Sequence, residues 1–145
     1  MSVTIDANVL IYSMNEDAHQ HNSAARALTL AMQSGEPVWL FPPTIVAILR
    51  VMTHPRLSRR PLSLHEAFMK IRQLLQQPEV NFGSPLESFV EDLASVAMPP
   101  DATGKLIHDA EIVALMKQHG VDRILTADRD FLRFEGIAVT LFLNP

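Results

Sequence analysis

Val3-Thr4-Ile5-Asp6-Ala7-Asn8 is a short, apolar, β-branched run that rises to an aspartate and stops. A helical pattern follows at once, with Val9, Leu10, Ile11, Tyr12 and Met14 as its apolar positions. A strand this apolar this early reads as a central strand of a covered parallel sheet. In such sheets the functional crevice lies at the carboxyl ends of the strands, and Asp6 sits at that end. A carboxylate there must pair with a cation or raise its pKa and lose its charge. The rest of the chain is therefore read for what it brings to Asp6.

Moving outward, Ser23 to Gln33 is rich in Ala and Leu and reads as a helix, stopped by Ser34-Gly35-Glu36-Pro37. Val38 to Phe41 is a second strand. Pro42-Pro43 opens a helix that runs to about Thr53. That helix is apolar nearly all round, which predicts burial on every side. His54-Pro55-Arg56 breaks it. Ser63 and Glu66 form a capping-box pattern for a helix from Leu64 to about Gln77. Val80-Asn81-Phe82 is a weak third strand. Apolar residues at 86, 89, 90, 93, 94 and 97 make a helical stripe. Lys105 to His119 is a further helix, closed by Gly120. Arg123 to Thr126 and Ile137 to Phe142 are the fourth and fifth strands. Strands alternating with helices predict an α/β fold with a mainly parallel, five-stranded sheet.

The 145 residues suit one domain, 1–145, with a single sizeable core. A hydrophobic fraction of 48% and a charged fraction of 19% are those of a globular chain rather than a disordered one. No apolar run is long enough to cross a bilayer, and the N-terminus lacks the basic segment of a signal peptide. Zero Cys excludes a disulfide framework and a thiolate metal site. These features together lead us to expect a cytoplasmic protein. The net charge of −4 does not mark a nucleic-acid binder by itself. The bases nevertheless crowd one stretch, with Arg50, Arg56, Arg59, Arg60, Lys70 and Arg72 beside His54 and His65. That stretch reads either as a solvated charged face or as a local basic surface.

Three acids are candidates for one site. Asp6 ends strand one, and Asp128 follows strand four by two residues, so both fall on the same sheet edge. Asp109 lies on a helix whose apolar face carries Leu106, Ala110, Val113, Ala114 and Met116. At about 100° per residue Asp109 falls inside that face, whereas Lys105, His108, Glu111 and Gln118 fall outside it. An acid on the buried side of a helix needs a partner. Each acid also has a local alternative: Asp6 as a helix cap, Asp109 near a helix start, Asp128 and Asp130 around the turn into Phe131. Gathered within about 4–5 Å, the three would repel one another by a few kcal/mol. A divalent cation removes that cost. Oxygen-only ligands favour a hard ion, Mg²⁺ or Mn²⁺. Such a site suits phosphodiester hydrolysis.

The segments Ile5-Asp6-Ala7-Asn8-Val9-Leu10, Leu49-Arg50-Val51-Met52-Thr53-His54-Pro55-Arg56, His108-Asp109-Ala110 and Thr126-Ala127-Asp128-Arg129-Asp130-Phe131 occur in one order. In that order the chain resembles a PIN-domain ribonuclease of the VapC type, the toxin of a bacterial toxin–antitoxin pair. The resemblance implies a PIN-like five-stranded sheet sandwiched between helices and a Mg²⁺-dependent endoribonuclease. It further implies a homodimer and a VapB-type antitoxin that blocks the site. Its implied targets are structured RNAs such as tRNA or a ribosomal RNA loop. Asp6, Asp109 and Asp128 match three of the family's four acids and are the implied metal ligands. Asn8 and Thr126 match positions that support them by hydrogen bonds, and Asp130 is placed with that support. Beside such a pocket, Arg50, Arg56, Arg59 and Arg60 become candidates for RNA phosphate contacts.

The chain departs from the family at one position. Ala47 stands where the family carries a glutamate, and a methyl group neither ligates metal nor orients water. Either a natural site has degenerated, or a Glu→Ala exchange has disarmed a toxic enzyme; the intact remaining motifs favour the second. On either reading the chain is expected to cut weakly or not at all. The alternative function is a catalytically dead module that binds RNA or antitoxin. A phosphorylated receiver domain needs an acid after the third strand, where this chain has Asn81-Phe82-Gly83. A haloacid-dehalogenase-type phosphatase needs D-x-D after strand one, where this chain has Asp6-Ala7-Asn8.

Overall fold

The computed structural model describes residues 1–142. The elements are β1 (Val3–Ile5), α1 (Ala7–Met14), α2 (His21–Gln33), β2 (Val38–Leu40), α3 (Pro42–Thr53), α4 (Leu64–Leu75), β3 (Val80–Phe82), α5 (Phe89–Ala97), α6 (Lys105–Gln118), β4 (Arg123–Thr126) and β5 (Ala138–Leu141). A 3-10 turn at Arg129–Arg133 joins β4 to β5. All strand pairs are parallel, in the order β3-β2-β1-β4-β5. β1 is thus the central strand, as its composition predicts. No helix among the described residues is long and apolar enough to cross a membrane.

Side chains alternate across the strands, and each set buries against its own helices. Val3, Ile5, Val38, Leu40 and Leu125 belong to one hydrophobic cluster with residues of α1, α2, α3 and α4. Ile124 and Phe41 belong to a second cluster with α5, α6 and the 3-10 turn. Trp39 packs against the same cluster. This period-two switch of faces is what a strand covered on both sides requires.

The fold differs from expectation in two helices. α3 is not buried all round. Thr44, Ile48 and Met52, spaced four apart, are buried, while Val46 is 62% exposed. The helix covers one face of the sheet as an outer layer, and only one stripe can reach inward. α5 begins at Phe89 rather than Leu86, and the expected stripe is rotated. Phe89, Leu93, Val96 and Ala97 face the core, while Leu86 and Val90 are exposed. The capping box of α4 is present, with Ser63 Oγ accepting from Glu66 N at 3.1 Å and donating to Glu66 Oε1 at 3.0 Å.

The strand ladders continue past their ends and set the site edge. Asp6 N–H donates to Leu125 O at 2.9 Å, and Gly83 N–H donates to Leu40 O at 2.9 Å. Gly83 lies against buried Phe41 and His119. A Cβ there would stand 2.8 Å from Phe41 Cε1 and 2.9 Å from His119 Cδ2. His119 is held by its stack on Trp39 and by its contact with Ser84 O at 2.7 Å. Gly83→Ala should therefore overpack this corner and destabilise the chain by about 1–3 kcal/mol. Thermal denaturation checks it, and an unchanged midpoint would show that the ring pair yields freely.

Candidate active site

Asp6 is the N-cap of α1. Its Oδ1 accepts from Ala7 N at 2.8 Å. Its Oδ2 accepts from Thr126 Oγ1 at 2.6 Å and from Asn8 Nδ2 at 3.2 Å. Capping and site membership are therefore compatible: one oxygen serves the helix, and the other faces the end of β4. Thr126 is fully buried and links two acids. It donates to Asp6 and accepts from Asp128 N at 3.0 Å. Asn8 Oδ1 accepts from Ala127 N at 3.3 Å, which ties the start of α1 to the same strand tip. Asn8 and Thr126 thus both bond to Asp6 and to the backbone after β4.

Asp128 is fixed by the turn that follows. Its Oδ1 accepts from Asp130 N at 2.9 Å, capping the 3-10 turn. The cap is Asp128, which leaves the Asp130 carboxylate free to turn inward. Asp109 comes from the fifth residue of α6 and is 8% exposed. It caps nothing, since Gly104 is the N-cap of α6.

Asp109, Asp128 and Asp130 each present a carboxylate oxygen within 4.8 Å of the others. Asp6 stands outside this trio but close enough to act on it. The trio contains two of the three expected ligands, Asp109 and Asp128, together with Asp130, while the charge of Asp6 acts on Asp109. The Asp109 carboxyl is pushed up to about 7 by burial first, then by the charges of Asp128 and Asp6. Burial also raises the Asp6 pKa, although its bonds from Thr126 and Ala7 oppose the shift. Asp109 Oδ2 is buried without a hydrogen-bond partner among the described residues. A buried oxygen left unpaired is costly. An oxygen-only cluster holding one such atom suits a hard divalent ion.

The cation at this edge is one the sequence pattern left outside the site. Lys105 Nζ lies 3.5 Å from Asp128 Oδ2. The signal for it was present: Lys105 precedes Asp109 by four residues, so the two share a helix face. The four arginines are placed differently. Arg50, Arg56, Arg59 and Arg60 are all exposed, and among the described residues none is bonded to the acids. Arg60 instead meets Asp17, beyond the far end of α1. Ala47 is half-buried on α3 and packs against the cluster that holds Ile5, Leu10 and Ile48. A cavity of about 460 Å³, lined by Ser23, Arg26, Leu30, Arg123, Thr140 and Phe142 among others, contains none of the acids.

Comparison with known proteins shows the family. Residues 3–137 match the family described as PIN domain. Ribonuclease VapC48 of Mycobacterium tuberculosis is 34% identical over 139 residues, covering 96% of each chain. Among solved structures, VapBC2 from Rickettsia felis, bound to a DNA fragment from its promoter, superposes with a TM-score of 0.70 at 11% identity, covering 97% of this chain and 98% of that one. VapC20 of Mycobacterium tuberculosis, described as a sarcin–ricin loop cleaving toxin, superposes with a TM-score of 0.68 at 16% identity, covering 94% and 98%. On the match over residues 3–137 and the 34% identity, the chain belongs to the PIN-domain family, among the VapC ribonucleases.

Proposed function

We propose that this chain is a divalent-metal endoribonuclease toxin acting on structured RNA, a homodimer neutralised by a VapB-type antitoxin. The observation that carries the reading is the buried, unpaired Asp109 Oδ2 in a group with Asp128 and Asp130. The VapC relatives and the VapBC neighbour supply the class of reaction and of partner. The exposed apolar side chains Val46, Leu64, Phe68 and Met69 on α3 and α4 support assembly with another chain.

Asp109, Asp128 and Asp130 would hold Mg²⁺ or Mn²⁺, with Asp6 oriented by Thr126 and Asn8 at their side. When bound, such an ion neutralises the acids and lowers the pKa of a coordinated water for in-line attack on a phosphodiester. The residues of the chain do the positioning. Thr126 holds Asp6 and the Asp128 backbone at once, and the 3-10 turn fixes Asp128 against Asp130. Ala47 offers no acceptor at the position of the family glutamate, so proton handling there is lost and cleavage is weakened. The same residue favours a second reading, in which the chain binds RNA or antitoxin without cutting.

Ala47→Glu separates the two. It should raise Mg²⁺-dependent RNA cleavage by roughly 10- to 100-fold, the usual size of a lost supporting group at a metal site, and arrest growth until antitoxin is co-expressed. Mapping of RNA 5′ ends in cells expressing the variant would give the cut site. No cleavage by either chain, with antitoxin binding retained, selects the binding module.

Asp109 links this site to pH. Its raised pKa means that the folded, metal-free chain holds a proton that the unfolded chain releases. Stability in EDTA should therefore fall as pH rises from about 4 to about 7, and Asp109→Asn should flatten that dependence. Melting curves at pH 5 and pH 8 decide it: equal slopes in both chains would mean that Asp109 titrates normally.

The exposed arginines are assigned to phosphate contacts away from the cut point. The double variant Arg59→Glu with Arg60→Glu should weaken RNA binding and reduce the slope of log affinity against log salt by about 2. An unchanged salt slope rejects that assignment.

A further inference from the structure

Lys105 is in the wrong place by helix electrostatics. It is the first residue of α6, where the dipole favours anions and opposes a cation. Gly104 before it has φ 57° and ψ −128°, so the chain enters the helix through a conformation suited to glycine. The outcome is an ammonium delivered to the acid group. Lys105 Nζ reaches Asp128 Oδ2 at 3.5 Å, and its charge is felt by Asp109, Asp130 and Asp6. Among the described residues it is the one basic side chain in a salt bridge with any of these four acids.

Stability does not account for this pair. The Lys105 side chain is 77% exposed, and an exposed ion pair adds little to folding. The carboxylate it meets is more informative. Asp128 Oδ1 is engaged by Asp130 N, so Oδ2 is the oxygen that Asp128 has left for a ligand. Lys105 stands on that oxygen. Anything of charge +2 that takes Oδ2 must turn the ammonium away from it. A flexible four-carbon stem with three donors then remains at the rim of a site that receives a phosphodiester.

We propose that Lys105 is a substrate-contacting residue of this site, exchanging Asp128 Oδ2 for a non-bridging oxygen of the RNA phosphate when a divalent ion binds. Toward the acids themselves it acts as a counter-charge that competes with a cation for Asp128 Oδ2. With ion and RNA present it holds the phosphate backbone from the α6 side, opposite in charge to the acids and next to them. The proposal rests on the metal-site reading above.

The test uses Mn²⁺ alone as one probe and an uncleavable 2′-O-methyl stem–loop RNA as the other, on the full chain and on Lys105→Met and Lys105→Arg. Calorimetric titration should show Mn²⁺ binding several-fold tighter to Lys105→Met, because the competitor is gone. In saturating Mn²⁺, the RNA should bind about tenfold more weakly to Lys105→Met, with a salt slope lower by about 1. Lys105→Arg should restore RNA binding. Equal Mn²⁺ and RNA affinities in all three chains would overturn the proposal and leave a surface ion pair. Tighter Mn²⁺ with unchanged RNA affinity would overturn the phosphate contact. If the unaltered chain bound no Mn²⁺, the metal-site reading itself would fall, and this proposal with it. Melting curves of both variants check that each is folded.

Discussion

Mutual repulsion among carboxylates is the constraint around which this molecule is arranged. Three of them present oxygens within 4.8 Å of each other, and a fourth, Asp6, stands beside them. At that spacing, unit charges repel by roughly 3 kcal/mol per pair at an effective dielectric of 20. A short stretch of chain would relax by turning its side chains to water. Here Asp6 and Asp128 are prevented from doing so by bonds to their own backbone surroundings, and Asp109 by burial. Asp6 is tied to the first turn of α1, Asp128 to the 3-10 turn, and Thr126 ties the two together. The cost is met locally in two ways: Asp109 takes up a proton more readily than a free carboxyl, and Lys105 leans on Asp128.

A parallel sheet is well suited to build such a group. All five strands end on one edge, so residues far apart in sequence are delivered side by side. β1 and β4 are direct neighbours, and the hydrogen bond from Asp6 N to Leu125 O carries their ladder to the acid itself. α6 then packs its apolar face on the second cluster, with Ala110, Val113 and Ala114 fully buried. The same packing that buries Ala110 buries Asp109 next to it. The packing of the core thus carries Asp109 to the edge where β1 and β4 end.

The positive groups divide the surface by role. Lys105 is at the acids. The arginines of residues 50–60 follow the end of α3 and the loop beyond it, and Arg60 turns toward Asp17. A helix of 12 residues is roughly 18 Å long, which sets the basic loop at its far end apart from its start beside β2. Ala47 is half-buried and packs its methyl against the first cluster.

Much of this was legible in the chain alone, and for identifiable reasons. Local patterns obey local rules: Val3 to Ile5 reads as a buried strand, Ser63 with Glu66 as a helix start, and Asp109 as an acid on an apolar helix face, because each depends on spacing within a few residues. The sequence order of the motifs likewise marked Asp6, Asp109 and Asp128 as partners. What tertiary structure decided were the distances between elements. That Asp130 joins Asp109 and Asp128 depends on how the 3-10 turn folds back, and no periodicity encodes it. That Lys105 faces the acids, while Arg50 to Arg60 do not, depends on which end of which helix meets the strand tips. The exposure of Val46 and Val90 follows from the same limit. An apolar stripe tells which residues can be buried, but only the neighbouring layer determines which of them are.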